Sequence, residues 1–252
     1  MRVTFLGTGT SVGVPRIGCH CAVCRSPDPR NQRLRCSILM QEGDQHVLVD
    51  TPPDLRTQAL RFGVERVDAV VFTHAHADHL HGLDDVRCFC LERDAPLPCY
   101  ADERTAARIR HVFDYAFVSG HVSSVPQLSV HLIDGPFAVG NLRVQPVPVC
   151  HGRLPVLAFR VGGFAYATDC SSIPPESVEQ LRGLDTLVLD ALRLRPHPTH
   201  FCLEQALAAV EALSPRQAFL THIAHDLEHT ATSGRLPSRV RLAYDGLVLE
   251  VD

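Results

Sequence analysis

The stretch Thr73-His74-Ala75-His76-Ala77-Asp78-His79 follows a run of strand-formers, Val67 to Phe72, so the chain leaves a buried strand and at once presents three histidines and a carboxylate. Imidazole suits zinc, manganese or iron, carboxylate suits harder ions, and H-x-H-x-D-H supplies both within one short loop. Such a loop can aim His74 and His76 at one ion while Asp78 and His79 face a second. The remaining ligands must then come from other strand ends brought to the same edge. One internal echo shows where: Val70-Val71-Phe72-Thr73-His74 and Ala218-Phe219-Leu220-Thr221-His222 both run apolar strand, threonine, histidine. A duplicated strand-to-site unit places both histidines at one edge of a two-sheet core.

A second donor cluster, Cys19-His20-Cys21-Ala22-Val23-Cys24, lies in a stretch too rich in Pro, Gly and Arg for a regular element. Three thiolates so close can grip one zinc, and a closed structural site needs a fourth ligand. His20, Cys36 and, far along the chain, His225 are the candidates. Ahead of the cluster, Gly7-Thr8-Gly9-Thr10-Ser11-Val12-Gly13 permits a tight turn and a close backbone approach, and an ordinary turn is the simpler reading. No Gly-Lys-Ser/Thr closes it, so it is not a P-loop.

The rest alternates quickly. Arg2 to Leu6 reads as a strand, and Ser37 to Gln41 with His46 to Val49 as a hairpin around Gly43-Asp44. Asp50 to Asp54 ends that strand and caps a helix running to about Phe62. Asp84 to Glu92 is expected helical, Leu97 to Ala101 a strand, and Asp102 to His111 a helix capped by its aspartate. Phe113 to Leu128 shows no period and is expected at the rim of the site. Strands follow near Val130, at Leu142 to Val149, Val156 to Val161 and Ala165 to Thr168, then a helix after Pro174-Pro175. Leu187 to Leu189 and Gln217 to Leu220 read as strands around a helix at Leu203 to Leu213, and Arg241 to Val251 as a strand pair turned at Asp245-Gly246.

Composition limits the function classes. A chain of 252 residues can bury a sizeable core as one domain. It has no run apolar enough to cross a bilayer and no apolar leader with a cleavage site, so a soluble, cytoplasmic protein without a membrane partner is expected. Ten cysteines in that setting point to reduced thiols and metal rather than a disulfide framework. A formal charge of −4 and a pI near 6.4 argue against a polyphosphate-tracking surface. Every fixed cationic side chain is arginine, which grips phosphate bidentately and keeps a small phosphorylated substrate in play.

With its H-x-H-x-D-H loop after an apolar strand, the sequence resembles the metallo-β-lactamase superfamily. The resemblance implies an α/β fold, the αββα four-layer sandwich of helix, sheet, sheet and helix, over 1–252 as a single domain, with a zinc-binding loop at about 18–36. It also implies the distant ligands. His151, just past the strand of Val147-Pro148-Val149, and Asp169, just past Tyr166-Ala167-Thr168, stand in the superfamily's order before His222. By that resemblance His74, His76 and His151 hold one metal, Asp78, His79 and His222 hold another, and Asp169 bridges them. An aspartate there matches phosphodiesterase, nuclease and thioester-hydrolase branches, where β-lactamases generally have cysteine. The glycine loop plus cysteine cluster narrows the likeness to the PhnP branch, cyclic phosphodiesterases accessory to carbon–phosphorus lyase. In that branch the three cysteines Cys19, Cys21 and Cys24 share a structural zinc with a late histidine, which lands on His225. A histidine acting on substrate lands on His200.

The function so implied is hydrolysis of small, cyclic phosphodiesters by two active-site ions of Zn, Mn or Fe, which activate a water for in-line attack. Arg193 and Arg195 stand near enough in sequence to His200 to contact phosphate, while His20, His81 and His197 carry no assignment. A homodimer is left open, and nucleic acid is not the expected partner. Two alternatives remain. One is a ribonuclease Z-like endonuclease, for which no basic, glycine-rich arm is visible. The other is a non-catalytic cofactor-binding relative on the same scaffold, against which the complete ligand set argues.

Overall fold

The computed structural model describes residues 1–91, 93–118 and 125–251. The first half runs β1 (Arg2–Gly7), β2 (Ser37–Glu42), β3 (Gln45–Val49), α1 (Leu55–Phe62), β4 (Ala69–Val71), the single turn α2 (Ala77–Leu80), β5 (Leu97–Ala101), α3 (Glu103–Val112) and β6 (Leu128–Leu132). The second half runs β7 (Phe137–Val139), β8 (Leu142–His151), β9 (Leu154–Val161), β10 (Phe164–Ala167), α4 (Pro175–Gln180), β11 (Thr186–Asp190), α5 (Leu203–Leu213), β12 (Gln217–Thr221), α6 (His229–Ser233), β13 (Val240–Leu242) and β14 (Val248–Glu250). Two seven-stranded sheets result, ordered β14-β1-β2-β3-β4-β5-β6 and β13-β12-β11-β10-β9-β8-β7.

The layers follow from the two-residue period of a strand. In β1, Val3 and Phe5 face the opposing sheet, while Leu6 turns outward to meet Leu55 of α1. In β12, Phe219 enters the space between the sheets, and Ala218 and Leu220 face the helix side with Ala206 and Val210 of α5. Each sheet thus buries one face on its partner and the other under helices, the four-layer α/β sandwich that the sequence implied. In the helix-flanked middle of each sheet, β3 to β6 and β10 to β13, neighbouring strands are parallel. Their carboxyl ends therefore open on one edge, where ligands gather in open α/β sheets.

One expectation is corrected. The closing segment is not a strand pair: β13 extends one sheet alongside β12, and β14 closes the other against β1. Both sheets offer an unpaired edge, and three-residue strands gain more by completing those edges than by pairing with each other. Gly246, at φ +89°, makes the crossing. The segment expected to be helical from Asp84 is helical, as a tight 3-10 helix, Leu83–Cys90, whose start is fixed by Gly82 pressed on the Pro52 carbonyl. Within the capping stretch Asp50 to Asp54, Asp54 stands at the N-cap of α1, and its side chain makes no cap bond but pairs with Arg35 at 2.9 Å. Of the stretch from Phe113 to Leu128, Asp114–Phe117 is a 3-10 turn and 119–124 lie outside the described residues.

Residues 8–35 are held to this frame by a buried cation. Arg33, 2% exposed, donates to Thr8 Oγ1 at 2.7 Å and to the Ala243 carbonyl at 2.6 Å, and lies 3.2 Å from His229 Nδ1. Asp245 accepts from Thr8 Oγ1 and from the Leu34 N–H, both at 2.7 Å. Burial pushes Arg33 down to about 10 and Asp245 up to about 6. A carboxyl whose value rises on folding keeps a proton that the unfolded chain, at about 3.9, has released, so its folded form loses stability as pH climbs from about 4 through 6. Arg33→Met deprives Asp245 of its cationic neighbour. Chemical denaturation is expected to show a loss of about 3 kcal/mol at pH 7 and a smaller loss at pH 5, where Asp245 is protonated. Equal losses at the two pH values count against this account.

Candidate metal centre

The histidine loop leaves β4 and runs into α2, and every other member of the cluster stands at or just past a strand end on the same edge. His151 ends β8, Asp169 follows β10, and His222 follows β12. Ligand atoms of His74, His76, His151 and Asp169 lie within 4.8 Å of one another, and so do those of Asp78, His79, Asp169 and His222. Asp169 is common to both groups. Its Oδ1 stands 3.0 Å from His79 Nε2 and 3.3 Å from His222 Nε2, and its Oδ2 stands 3.8 Å from His74 Nε2. Asp78 Oδ2 is 3.5 Å from His79 Nε2 and 3.8 Å from His222 Nε2.

Despite these short distances, His74 Nε2, His79 Nε2 and both ring nitrogens of His222 are buried without a hydrogen-bond partner. Buried polar atoms are ordinarily paired, because stripping one of water costs free energy unless a partner replaces it. A divalent cation satisfies several such lone pairs at once. The donor set of imidazole and carboxylate fits that role, and it is the hardness expected for Zn, Mn or Fe rather than for a soft ion.

The opposite ring edges explain how the imidazoles are aimed. Asp50, fully buried at the end of β3, accepts at 2.8 Å from both the N–H and the hydroxyl of Thr73, and its Oδ2 lies 2.7 Å from His79 Nδ1. Because the Thr73 hydroxyl donates to Asp50, its lone pair is left for His74 Nδ1 at 2.9 Å. His151 Nδ1 meets the Thr199 carbonyl at 2.7 Å. Each contact places the ring proton on Nδ1 and turns a bare Nε2 toward the cluster. For two of the rings the electrostatics agree. Burial holds His74 well below its ordinary value and pushes His151 down to about 4. Burial also opposes a charge on His222, but Asp169 and Asp78 carry it up to about 9. Burial likewise opposes ionisation of Asp169, and His222 and His79 overcome it.

The arrangement strains the backbone. Asp50, Asp169 and His222 adopt φ of 63°, 52° and 58°, each within two residues of the end of its strand. Left-handed backbone costs a residue other than glycine on the order of 1–3 kcal/mol, and it clusters where side chains must be re-aimed.

His200 lies over the same centre, 4.6 Å from His222 in a stacked pair and 4.5 Å from His151 edge-on. Its Nδ1 is 2.7 Å from Asp190 Oδ2, a fully buried carboxylate at the end of β11 that also accepts the Cys170 N–H. Sequence reasoning missed Asp50 and Asp190 as site residues. Their signal was present, since Val-Leu-Val-Asp50 and Leu-Val-Leu-Asp190 end apolar strands as Tyr-Ala-Thr-Asp169 does. Arg193 donates to the carbonyls of Arg195 and Pro196, so its guanidinium is engaged in its own loop.

The second cluster is assembled as well. Cys19, Cys21, Cys24 and His225 present ligand atoms within 4.8 Å of one another, with His225 Nδ1 3.3 Å from Cys19 Sγ and 3.2 Å from Cys21 Sγ. A zinc tetrahedron with Zn–S near 2.3 Å and Zn–N near 2.0–2.1 Å has N···S edges of about 3.5 Å. Cys36 is not part of it, being buried against the Thr221 hydroxyl, and His20 does not join the group. The glycine loop is more than an ordinary turn. A Cβ on Gly7 would fall 2.0 Å from the Arg35 carbonyl, and Thr8 and Thr10 bond to both backbone groups of Ile223, between His222 and His225.

The site and the fold agree with the sequence comparisons, in which residues 45–223 match the beta-lactamase superfamily domain. The chain belongs to that superfamily. Within it the chain is PhnP-like: it is 47% identical to a protein described as a new diphosphatase from the PhnP family, covering 99% of this chain and 97% of that one, with a TM-score of 0.93. It is 38% identical to an octanoyltransferase of Porphyromonas gingivalis over all of its own length, but it spans only 52% of that protein. A ribonuclease Z of Mycobacterium bovis is 27% identical over 77% of this chain and 71% of its own.

The two donor sets differ in how firmly they should hold metal. A closed thiolate site retains zinc and contributes to folding, whereas an open nitrogen and oxygen site exchanges its ions. Dialysis against mild chelator, followed by elemental analysis, is expected to leave about one zinc per chain. Cys21→Ser should lower that residual zinc and the melting temperature together. Loss of all metal in one step would show that the cysteine cluster is not a closed site.

Proposed function

We propose that this protein is a metal-dependent phosphodiesterase acting on small, cyclic phosphodiesters, with His74, His76, His151, Asp78, His79, His222 and the shared Asp169 as ligands of two divalent ions. The observation that carries the reading is the buried Asp169 carboxylate, common to two sets of histidines, of which His74, His79 and His222 have inward nitrogens buried without a hydrogen-bond partner. Divalent ions held there supply Lewis-acid charge that neutralises a phosphoryl group and favours attack by water.

The chain's own residues supply the rest. Asp50 and Thr73 hold His79 and His74 in the tautomer that faces the centre. Asp190 holds a proton on His200 Nδ1 and orients the ring, so that Nε2 is the atom that meets the substrate. A protonated Nε2 there hydrogen-bonds a phosphoryl oxygen or passes its proton to the departing alkoxide, a poor leaving group until it is protonated. Likeness to a PhnP-family diphosphatase supports a phosphorus–oxygen bond as the target.

Endonucleolytic cleavage of tRNA precursors is the second reading, favoured by the likeness to ribonuclease Z. The formal charge of −4 weighs against it, because RNA binding draws on a basic surface.

The test combines one variant with two substrates. Asp169→Asn keeps the side-chain shape, and asparagine tolerates the left-handed backbone, so the fold should persist. Hydrolysis of bis(p-nitrophenyl) phosphate is expected to fall by at least about 100-fold, together with metal content. The wild-type protein should cleave that diester and a small cyclic phosphate far better than a tRNA precursor at physiological salt. Full activity of Asp169→Asn at matched metal content would overturn the site assignment, and efficient, steeply salt-dependent tRNA processing would favour the endonuclease.

A further inference from the structure

Beneath the metal centre, the space between the two sheets is polar where the rest of that core is apolar. Along β10 the side chains alternate: Ala165 and Ala167 face the helix side, while Phe164 and Tyr166 enter the space between the sheets. Thr168, next on that face, is fully buried and leads directly to Asp169. Cys36 and Asp50 reach the same place from the other sheet, at the start of β2 and the end of β3, and Thr221 meets Cys36 there from the end of β12.

Tyr166 is the odd member of this group. Its side chain is fully buried, and among the described residues its hydroxyl has no hydrogen-bond partner. Phe159 and Val188, its neighbours on the adjoining strands, are apolar. A buried hydroxyl left unpaired costs folding free energy, and phenylalanine would fill the same space without that cost. The fold alone therefore gives no account of the oxygen. Its surroundings do: Thr168 Oγ1 faces it outside ordinary hydrogen-bond geometry, and the carboxylates of Asp50 and Asp169 are near. Thr168 has already given its one proton to Asp169 Oδ1 at 2.9 Å, so towards Tyr166 it can only accept. Burial, and after it Cys36, Asp50 and Asp169, holds the phenol well above its ordinary value, so the oxygen keeps a proton to donate. Tyr166, Thr168 and Asp169 thus stand as donor, relay and shared carboxylate.

We infer that Tyr166 is a positioning residue for Asp169: its hydroxyl donates to Thr168, which fixes the Thr168 proton on Asp169 Oδ1 and so raises the affinity of the centre for its metal ions. The inference rests on Asp169 being the shared metal ligand of the reading above, and not on which ester is hydrolysed. Oδ1 is the oxygen that stands 3.0 Å from His79 Nε2 and 3.3 Å from His222 Nε2, so holding it steady steadies the meeting point of the two donor sets. Removing a hydrogen-bond partner of a ligating group lowers metal affinity by about 10–100-fold. A hydroxyl that accepts one hydrogen bond also donates the next more strongly, because each bond polarises its neighbour.

Tyr166→Phe removes one oxygen and leaves the ring, and the readout does not depend on turnover. Calorimetric titration with Mn²⁺ reads the nitrogen and oxygen centre alone, since thiolates select softer ions and keep their zinc. After mild chelation the variant is expected to bind Mn²⁺ about tenfold or more weakly than the wild-type protein, yet to melt at the same temperature or higher when no Mn²⁺ is added. Thr168→Val should weaken Mn²⁺ binding at least as much. The double variant should lose no more than Thr168→Val alone, because both groups act on one carboxylate along one path. Unchanged Mn²⁺ affinity in Tyr166→Phe refutes the inference, as does a melting temperature lowered equally with and without Mn²⁺, the mark of a packing role. Losses that simply add in the double variant refute it too. If the wild-type protein itself binds no Mn²⁺, the metal-centre reading falls, and this inference with it.

Discussion

A single buried negative charge organises this protein. The Asp169 carboxylate, 2% exposed, sits among imidazoles delivered from separate strand ends. An isolated carboxylate so placed would be severely destabilising, and the neighbouring histidines make it tolerable. The same attraction raises the affinity of His79 and His222 for protons, and any cation bound there competes with those protons. The left-handed backbone at Asp50, Asp169 and His222 is the local cost of pointing three side chains off their strands at one place.

Much of this was legible in the sequence because the chemistry is written in dense local patterns. The loop from Thr73 to His79 and the cluster from Cys19 to Cys24 each put several donors within a few residues, and a repeated strand-threonine-histidine unit disclosed that His222 returns to the same edge. Residues that stand alone were harder. His151 and Asp169 each follow a strand in the way that many turn residues do, and only the order of a known family singled them out. Asp50 and Asp190 were overlooked for a different reason: they touch other side chains rather than a ligand, and nothing in local spacing reveals a contact such as the 2.7 Å from Asp190 to His200. The closing strands were misread because pattern gives strand existence, whereas pairing is decided by which edges remain open.

The two halves of the chain use the same device for different ends. In the first, an aspartate at a strand terminus, Asp50, steadies His79, which faces the ligand cluster. In the second, Asp190 steadies His200, which stacks over that cluster. One carboxylate–histidine pair thus lies within the cluster and the other packs against it. The thiolate cluster is tied into this plan through Ile223, whose backbone is clamped by Thr8 and Thr10 with His222 on one side and His225 close by on the other.

The crossing at Gly246 has a consequence for how the chain is made. β1 is made before every other strand of the two sheets, yet one of its two neighbours is β14, and the Met1 nitrogen bonds the Val251 carbonyl across 250 positions of sequence. During synthesis β1 can pair only with β2, and its other edge stays open until nearly the whole segment has been translated. Contacts of such separation form late and slowly. The sheet that carries the histidine loop is therefore completed by its last-made strand, and a nascent chain released early would expose the edge of its own first one.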